Sequence, residues 1–339
     1  MCPKNIKDYP LNKILIIGLS CLGDNLLITP AIKLIKDSFK KAEVDIVIGP
    51  RSIEFVRNNP WFSNYFVYNK KKMLSSIINL RKKRYDLIVD FRNSLLPFLL
   101  KGKFKLTFFW KEFTSEKFFT HESERIVRFL EPFFGKPEEI RLYFPFNNSD
   151  KEKISEIFKT FRIKKSDLII VLNPGANFIH KRWKKENFAE LGKILISDYG
   201  AKIIIIGGSQ EITLAEEIKS LIGNTNVFSI AGKLTLQQLA ALFEESDLLI
   251  TNDTGPMHLA SAVQCPVVAI FGPGNPYRYG PIGTKNYVVH IEIDCFPCRI
   301  KRNCKKNFIC MSKITVSDVI KSVRLILDED KQLSLFDIE

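Results

Sequence analysis

Three loops and one group of cysteines carry residue types from which a reaction can be built. The first loop reads Ser20-Cys21-Leu22-Gly23-Asp24. Gly23 permits a tight turn and close approach of a ligand. Asp24 stands where a helical pattern begins, and two roles fit a carboxylate there. It can cap the helix, the role this loop favours when read alone. It can also accept a proton as a general base, with the helix dipole lowering its pKa. Gly18 and Gly23 do not make the G-x-G-x-x-G pattern, so a nicotinamide enzyme is disfavoured.

The second loop, Asn173-Pro174-Gly175-Ala176, is followed by His180-Lys181-Arg182-Trp183. A glycine after a strand, with cations close behind, suits a phosphate. The alternative is two surface charges beside Trp183 as a core anchor. The third loop is Asn252-Asp253-Thr254-Gly255-Pro256-Met257-His258. Proline in the first turn, preceded by Thr254 and Gly255, builds a helix start with backbone N–H groups ready for an anion. Asp253 is placed to hold sugar hydroxyls. His258, one turn inside, suits packing or capping better than catalysis. Phe271-Gly272-Pro273-Gly274-Asn275-Pro276 adds another glycine- and proline-rich loop after the next strand.

Four of the seven cysteines are spaced Cys295-x2-Cys298-x5-Cys304-x5-Cys310. The first pair fits a zinc site, while both five-residue gaps are wider than usual. In a reducing compartment disulfides are not expected. Reduced thiols are the favoured reading, with a structural zinc as the alternative.

The elements that must position these loops alternate in type. Apolar, β-branched runs at Lys13–Leu19, Val44–Ile48, Asn64–Tyr68 and Asp86–Phe91 read as strands, with helical periodicity at Asp24–Phe39, Ser52–Asn58, Met73–Lys83 and Ser123–Phe133. Gly135, Pro137 and Pro145 mark a boundary, after which the alternation restarts. A helix over Lys151–Thr160 leads into strands at Leu168–Leu172, Lys202–Ile206, Asn226–Ile230, Asp247–Ile250 and Val267–Phe271. Such alternation predicts an α/β fold: two Rossmann-like domains, 1–150 and 151–339, each with a parallel sheet. Ligands in such folds sit at the carboxyl ends of strands, where the three loops fall.

A length of 339 residues, 45% of them hydrophobic, gives each domain a core of its own and excludes general disorder. The most apolar stretches, Ile14–Ile32 and Leu248–Phe271, contain Asp24, Asn252 and Asp253, so neither reads as a membrane span. The first ten residues lack an apolar signal-like core, and a cytoplasmic location is expected. The net charge of +14 is uneven, because residues 1–150 hold 26 Lys and Arg against 16 Asp and Glu. Within them, Lys70–Lys105 has eleven basic residues, Arg81, Lys82, Lys83 and Arg84 among them, against Asp86 and Asp90. Composition alone favours a solvated face, and the functional alternative is a surface for an anionic partner. Nucleic acid is disfavoured, since aromatic residues are not interleaved with these cations as stacking platforms.

Ser20-x-x-Gly23-Asp24, Gly175-Ala176 with Lys181-Arg182-Trp183, Asn252 through His258, and Phe271-Gly272-Pro273 together resemble the ordered motifs of glycosyltransferase family 9. That family contains the ADP-heptose:lipopolysaccharide heptosyltransferases, and the resemblance runs from about Lys13 to Ile320. It implies a GT-B architecture, two Rossmann-like domains facing across a cleft, with the acceptor on the first and the nucleotide-sugar on the second. It also implies inverting transfer with no cofactor or metal required. No convincing D-x-D motif is present, and Asp328-Glu329-Asp330 reads as part of a solvated, charged C-terminal segment. By the resemblance, Asp24 is the base beside Gly23, and Lys181 meets the donor phosphate. Asp253 lies near the donor sugar, with His258 in the same motif. Thr254 and Gly255 offer N–H groups to the diphosphate, and Glu211 after Gly207-Gly208 holds the ribose. The implied acceptor is an anionic, lipid-linked saccharide reached at the cytoplasmic face of the inner membrane, with Arg81–Arg84 as the contact. A sugar-nucleotide epimerase of GT-B type is the enzymatic alternative. The chain departs from the family at Gly18, where many members carry Arg, and at Gly274-Asn275, where Thr-Asp is commoner.

Overall fold

The computed structural model describes residues 2–68, 73–108, 120–283, 285–296, 298 and 304–336, with backbone alone for 73–76 and 329–336. Lys70, Lys71 and Lys72 of the basic stretch, and the side chains of Glu329 and Asp330, lie outside these. The chain divides between Pro145 and Phe146 into two compact units. The division precedes the expected helix at Lys151 because that helix starts early. Asn147 caps it, its side chain accepting from Asp150 N while the Asp150 carboxylate accepts from Asn147 N, so Asn148–Thr160 belongs whole to the second unit.

Unit 1 holds a parallel sheet of β1 (Lys13–Ile17), β2 (Glu43–Ile48), β3 (Asn64–Val67), β4 (Tyr85–Asp90) and β5 (Gly102–Thr107), in the order β3-β2-β1-β4-β5. Unit 2 holds β6 (Ile169–Asn173), β7 (Lys202–Ile205), β8 (Val227–Ser229), β9 (Leu248–Asn252), β10 (Val267–Phe271) and β11 (Asn286–His290), parallel in the order β11-β10-β9-β6-β7-β8. The central strands are buried on both faces, which is why they read as unbroken apolar runs: Ile14 to Ile17 and Leu248 to Ile250 have no exposure. In each unit the strand order reverses beside the first strand, between β1 and β4 and between β6 and β9. Carboxyl-end crevices open at such reversals.

Four features depart from the sequence expectation. Strands β5 and β11 are extra, and both lie at sheet edges, where one half-exposed face breaks the apolar run. A one-turn helix, Leu96–Leu99, follows β4. The helix expected over Asp24–Phe39 is two, Leu22–Leu27 and Thr29–Ser38, because Pro30 has no N–H for Leu26 O. The Thr29 hydroxyl takes that acceptor at 2.6 Å. The C-terminal segment forms a long helix, Val316–Phe336, in which Asp328 accepts from Tyr199 Oη.

One cation of the expected cluster is half-buried and held by a partner. Lys83 Nζ donates at 2.9 Å to Asp45, a carboxylate with no exposure that also accepts from Tyr85 Oη and Asn64 Nδ2. A buried carboxylate needs a partner, so Lys83 is a structural cation, and only Arg81, Lys82 and Arg84 of the expected cluster are exposed. Among the described residues no helix is long and apolar enough to cross a membrane.

The loop after β1 is held by one amide. Asn25, with no exposure, donates to Leu19 O, Cys21 O and Ser52 Oγ and accepts from Leu19 N. Gly18 makes room for it, since a Cβ at 18 would lie 2.7 Å from Asn25 Oδ1. Gly18→Ala is therefore expected to destabilise the chain by about 1–3 kcal/mol through a displaced, unsatisfied amide. Urea unfolding checks this, and an unchanged midpoint would show that the loop does not depend on Asn25.

Candidate functional site

In unit 1 the loop from β1 and the loops from its two neighbours meet. Asp24 lies exposed in the first turn of Leu22–Leu27, while the N-cap position is Cys21. The capping reading of Asp24 is thus replaced by a carboxylate inside the first turn, favourably placed in the helix dipole. Gly23 precedes it in the same turn. Two guanidinium groups approach this loop. Arg92, just beyond β4, donates to Ser20 Oγ and lies 4.7 Å from the centre of the Tyr68 ring. Arg51, just beyond β2, lies close enough to Cys21 to act on its thiol. The Cys21 thiol is pushed up first by burial and then by the Asp24 carboxylate, while Arg51 pulls it down. Arg51, Cys21 and Asp24 are therefore electrostatic neighbours.

The turn bearing Arg92 is fixed by Asp90, which accepts from Arg92 N, Ser94 N and Ser94 Oγ at 2.8 to 3.1 Å. Burial raises the Asp90 pKa, and these hydrogen bonds and Arg92 oppose that rise. Sequence reasoning missed Arg51 and Arg92. The signal was present: each is the first basic residue after the carboxyl end of a strand adjoining β1.

In unit 2 the expected donor residues come together on loops from β6, β7 and β9. Asn173 Nδ2 donates to Thr251 Oγ1 and Thr254 Oγ1, at 2.8 and 2.9 Å. Asn252 Nδ2 donates to Pro174 O at 2.8 Å and to Gly175 O at 3.3 Å, and its Oδ1 accepts from Trp183 N. Trp183 itself is buried and donates from Nε1 to Ile314 O. It is the expected anchor, yet its neighbours are not idle surface charges. Lys181 Nζ pairs with the nearly buried Asp253 at 2.5 Å. Arg182 donates to Ala176 O at 2.9 Å and reaches Glu211 at 3.4 Å.

Glu211 packs against Gly175 and accepts from Gly208 N at 2.8 Å, so it joins the same cluster. The helix Gly255–Ala262 starts at Thr254, whose hydroxyl makes no cap bond and instead faces Asn173. Its first-turn amides are left without a side-chain cap, the arrangement that suits an anion. His258 is buried in that helix. Gly274 closes over Asp253: a Cβ at 274 would stand 2.4 Å from Asp253 Oδ2.

The four C-terminal cysteines converge. All line one cavity of about 10 Å³ beside Gly272 and Pro273, and Phe308 N donates to Cys304 Sγ at 3.4 Å. Burial raises the Cys310 thiol, with a smaller push from Cys298, Cys304 and Cys295. Among the described residues no three His, Cys, Asp or Glu side chains are grouped to hold a metal ion. Phe308 stacks on His180, which also stacks on Phe178, and burial there, with Lys181 beside it, lowers the His180 pKa.

Comparison with known proteins converges on one family. The model of glycosyltransferase family 9 (heptosyltransferase) matches residues 73–309. Lipooligosaccharide heptosyltransferase 2 of Campylobacter jejuni is 30% identical over 318 residues, covering 90% of this chain and 95% of that protein. Among solved structures, a family 9 glycosyltransferase from Veillonella parvula superposes with a TM-score of 0.79 at 23% identity, covering 94% of this chain and 98% of that one. The E. coli ADP-heptose LPS heptosyltransferase II superposes with a TM-score of 0.75 at 20% identity, covering 94% and 99%. These superpositions show the GT-B fold that the family resemblance implied, built from the two Rossmann-like domains expected from the alternation of elements. The loops, their order in the chain and these matches agree: the chain belongs to glycosyltransferase family 9, the heptosyltransferases, and is a glycosyltransferase.

Proposed function

We propose that this enzyme transfers a heptose or closely related sugar from an ADP-sugar to an anionic, lipid-linked saccharide of the lipopolysaccharide core, by inverting displacement without a metal. The observation that carries the reading is the furnishing of the two crevices. Unit 1 has a carboxylate with two guanidinium groups at its reversal point. Unit 2 has a lysine–aspartate pair and an uncapped helix start at its own. The first set suits an acidic acceptor with a hydroxyl to deprotonate, the second a diphosphate attached to a sugar. The ADP and heptose named for the E. coli enzyme fit this division.

The chemistry follows from the residues. Asp24 takes the proton of the acceptor hydroxyl as its oxygen bonds to the anomeric carbon, and the bond from that carbon to the diphosphate oxygen breaks. Negative charge then grows on the leaving diphosphate. Lys181 and the amides of Thr254 and Gly255 are the groups that meet it. Supplied with this positive charge, the leaving group needs no metal ion. Lys181 is held by Asp253 beforehand, so little reorganisation accompanies the charge build-up. Asp253 then faces the sugar hydroxyls, Glu211 with Arg182 the ribose side, and Arg51 and Arg92 the acceptor's acidic groups. The acceptor's lipid places the enzyme at the cytoplasmic face of the inner membrane, with Arg81, Lys82 and Arg84 on the anionic surface.

Three substitutions and one assay of the wild type test this. Asp24→Asn keeps the shape of the first turn but cannot take the proton, so turnover of ADP-heptose on core acceptor is expected to fall about 10²–10⁴-fold. Calorimetric affinity for ADP should stay at the wild-type value. Near-wild-type turnover would remove Asp24 from the base role. Lys181→Ala is expected to weaken ADP binding and slow transfer about 10²–10³-fold, and a folded variant unchanged in both would reassign Lys181 to the surface. Arg92→Ala should raise the acceptor KM and leave ADP affinity alone, whereas an unchanged KM would remove Arg92 from acceptor recognition. Labelled donor consumed equally with and without acceptor would instead favour epimerase chemistry.

A further inference from the structure

Unit 1 exposes large apolar side chains where a water-soluble surface has little reason to keep them. On the single turn after β4, Leu95 is 77% exposed, Phe98 64% and Leu99 46%. Their spacing of three and four residues puts them on one side of that turn, and Phe98 N donates to Leu95 O to close it. The other side of the turn is anchored: Leu96 and Leu100 are buried in one cluster with Leu80, from the helix Met73–Lys82. The two helices are in contact. On that second helix Leu80 faces inward, while Ile78, 52% exposed, shares the outer face with Arg81 and Lys82. Scattered exposed apolar residues are ordinary on soluble proteins, but three on one turn beside a fourth on the adjoining helix are not.

The charge beside them has one sign. Arg81, Lys82, Arg84, Lys101 and Lys103 are exposed along the same stretch. Its two carboxylates are engaged elsewhere: Asp86 accepts from Asn12 N and Lys13 N, and Asp90 is buried under the Arg92 turn. A second copy of the chain would bring these cations face to face, which disfavours self-association. A surface that is apolar at its centre and anionic at its head groups satisfies both halves of the patch.

We infer that Leu95, Phe98 and Leu99, with Ile78, form a wedge that enters the interfacial region of an anionic lipid bilayer while Arg81, Lys82 and Lys101 lie on its head groups. This inference rests on the reading of a lipid-linked acceptor and deepens it, turning a basic contact into an inserted one. Apolar insertion and head-group attraction respond differently to salt. The attraction, about fivefold in partitioning per cation, fades as the Debye length shrinks, and the apolar part persists.

The test uses the full chain and vesicles of phosphatidylcholine, with or without 30% phosphatidylglycerol as the chosen probe composition. Wild type is expected to sediment with the anionic vesicles and less so at high salt. Leu95→Ser with Phe98→Ser should lower partitioning about tenfold or more at both salt levels. Arg81→Glu with Lys82→Glu should remove mainly the salt-sensitive part. Phe98→Trp should add, over the wild-type spectrum, emission that is blue-shifted on anionic vesicles and quenched by brominated acyl chains. The Leu95/Phe98 variant should keep ADP affinity and turnover of ADP-heptose on de-acylated core saccharide, which shows the fold intact. Sedimentation of that variant like wild type, unshifted added emission from the Phe98→Trp chain, or equal binding to neutral vesicles would overturn the wedge. Concentration-dependent dimerisation abolished by the same substitutions would overturn it in favour of a contact between copies. Failure of the sugar-transfer reading is separate, since it would appear as no wild-type turnover with vesicles absent.

Discussion

Two buried asparagines, Asn173 and Asn252, hold the unit 2 crevice together. They end β6 and β9, the neighbouring strands between which the order of the unit 2 sheet reverses. Each amide crosses that gap. Asn173 reaches the hydroxyls of Thr251 and Thr254, and Asn252 reaches the carbonyls of Pro174 and Gly175. At the end of a parallel strand the ladder stops, and loops diverging there need other partners for their carbonyl and amide groups. Asn252 also fixes Trp183 N, so the segment carrying Lys181 and Arg182 is registered against the loop carrying Asp253. Without that registration the Lys181–Asp253 pair has no reason to form. Unit 1 uses the same device with different residues, Asn25 gathering the loop after β1 and Arg92 tying Ser20 to the end of β4.

Much of this was legible in the sequence, and the division between legible and hidden is physical. The central strands are covered on both faces, so Ile14–Ile17 and Val267–Phe271 announce themselves as apolar runs. The edge strands do not: in β5 Lys103 and Lys105 alternate with apolar residues, and β11 offers only Tyr287, Val288 and Val289 between Asn286 and His290. The split at Ile28 was written in Pro30, but an apolar period spanning both helices masked it. The loops bearing Asp24, Lys181 and Asp253 were found because chemistry-bearing residues followed strands. Arg51 and Arg92 escaped notice because their convergence depends on strand order, and β2 and β4 flank β1 only in the folded sheet. Lys83 shows the reverse error: within a run of four cations, nothing local marks the one whose partner, Asp45, lies 38 residues away.

The two units also differ in how their charges are used. In unit 2 the cations near the crevice are paired, Lys181 with Asp253 and Arg182 with Glu211. Such pairing keeps a site preorganised and its field short-ranged. In unit 1 the guanidinium groups of Arg51 and Arg92 approach a thiol, a hydroxyl and a ring. Their positive field is set beside two carboxylates, Asp24 near Arg51 and the buried Asp90 near Arg92, so the crevice carries both signs of charge at close range.

Gly274 carries an implication for how this enzyme can diversify. Its hydrogen stands where any side chain would collide with the Asp253 carboxylate, 2.4 Å from the position of a Cβ. Family members with a bulkier residue at this point must seat their aspartate differently. Positions 253 and 274 are therefore coupled: a side chain can enter at 274 only if the Asp253 carboxylate moves. Because Asp253 also holds Lys181, the dependence extends to a third position on another loop. A change at position 274 in this lineage therefore travels with adjustment of the loops that carry Asp253 and Lys181, and a single-residue graft of the Thr common in relatives would first have to displace this carboxylate.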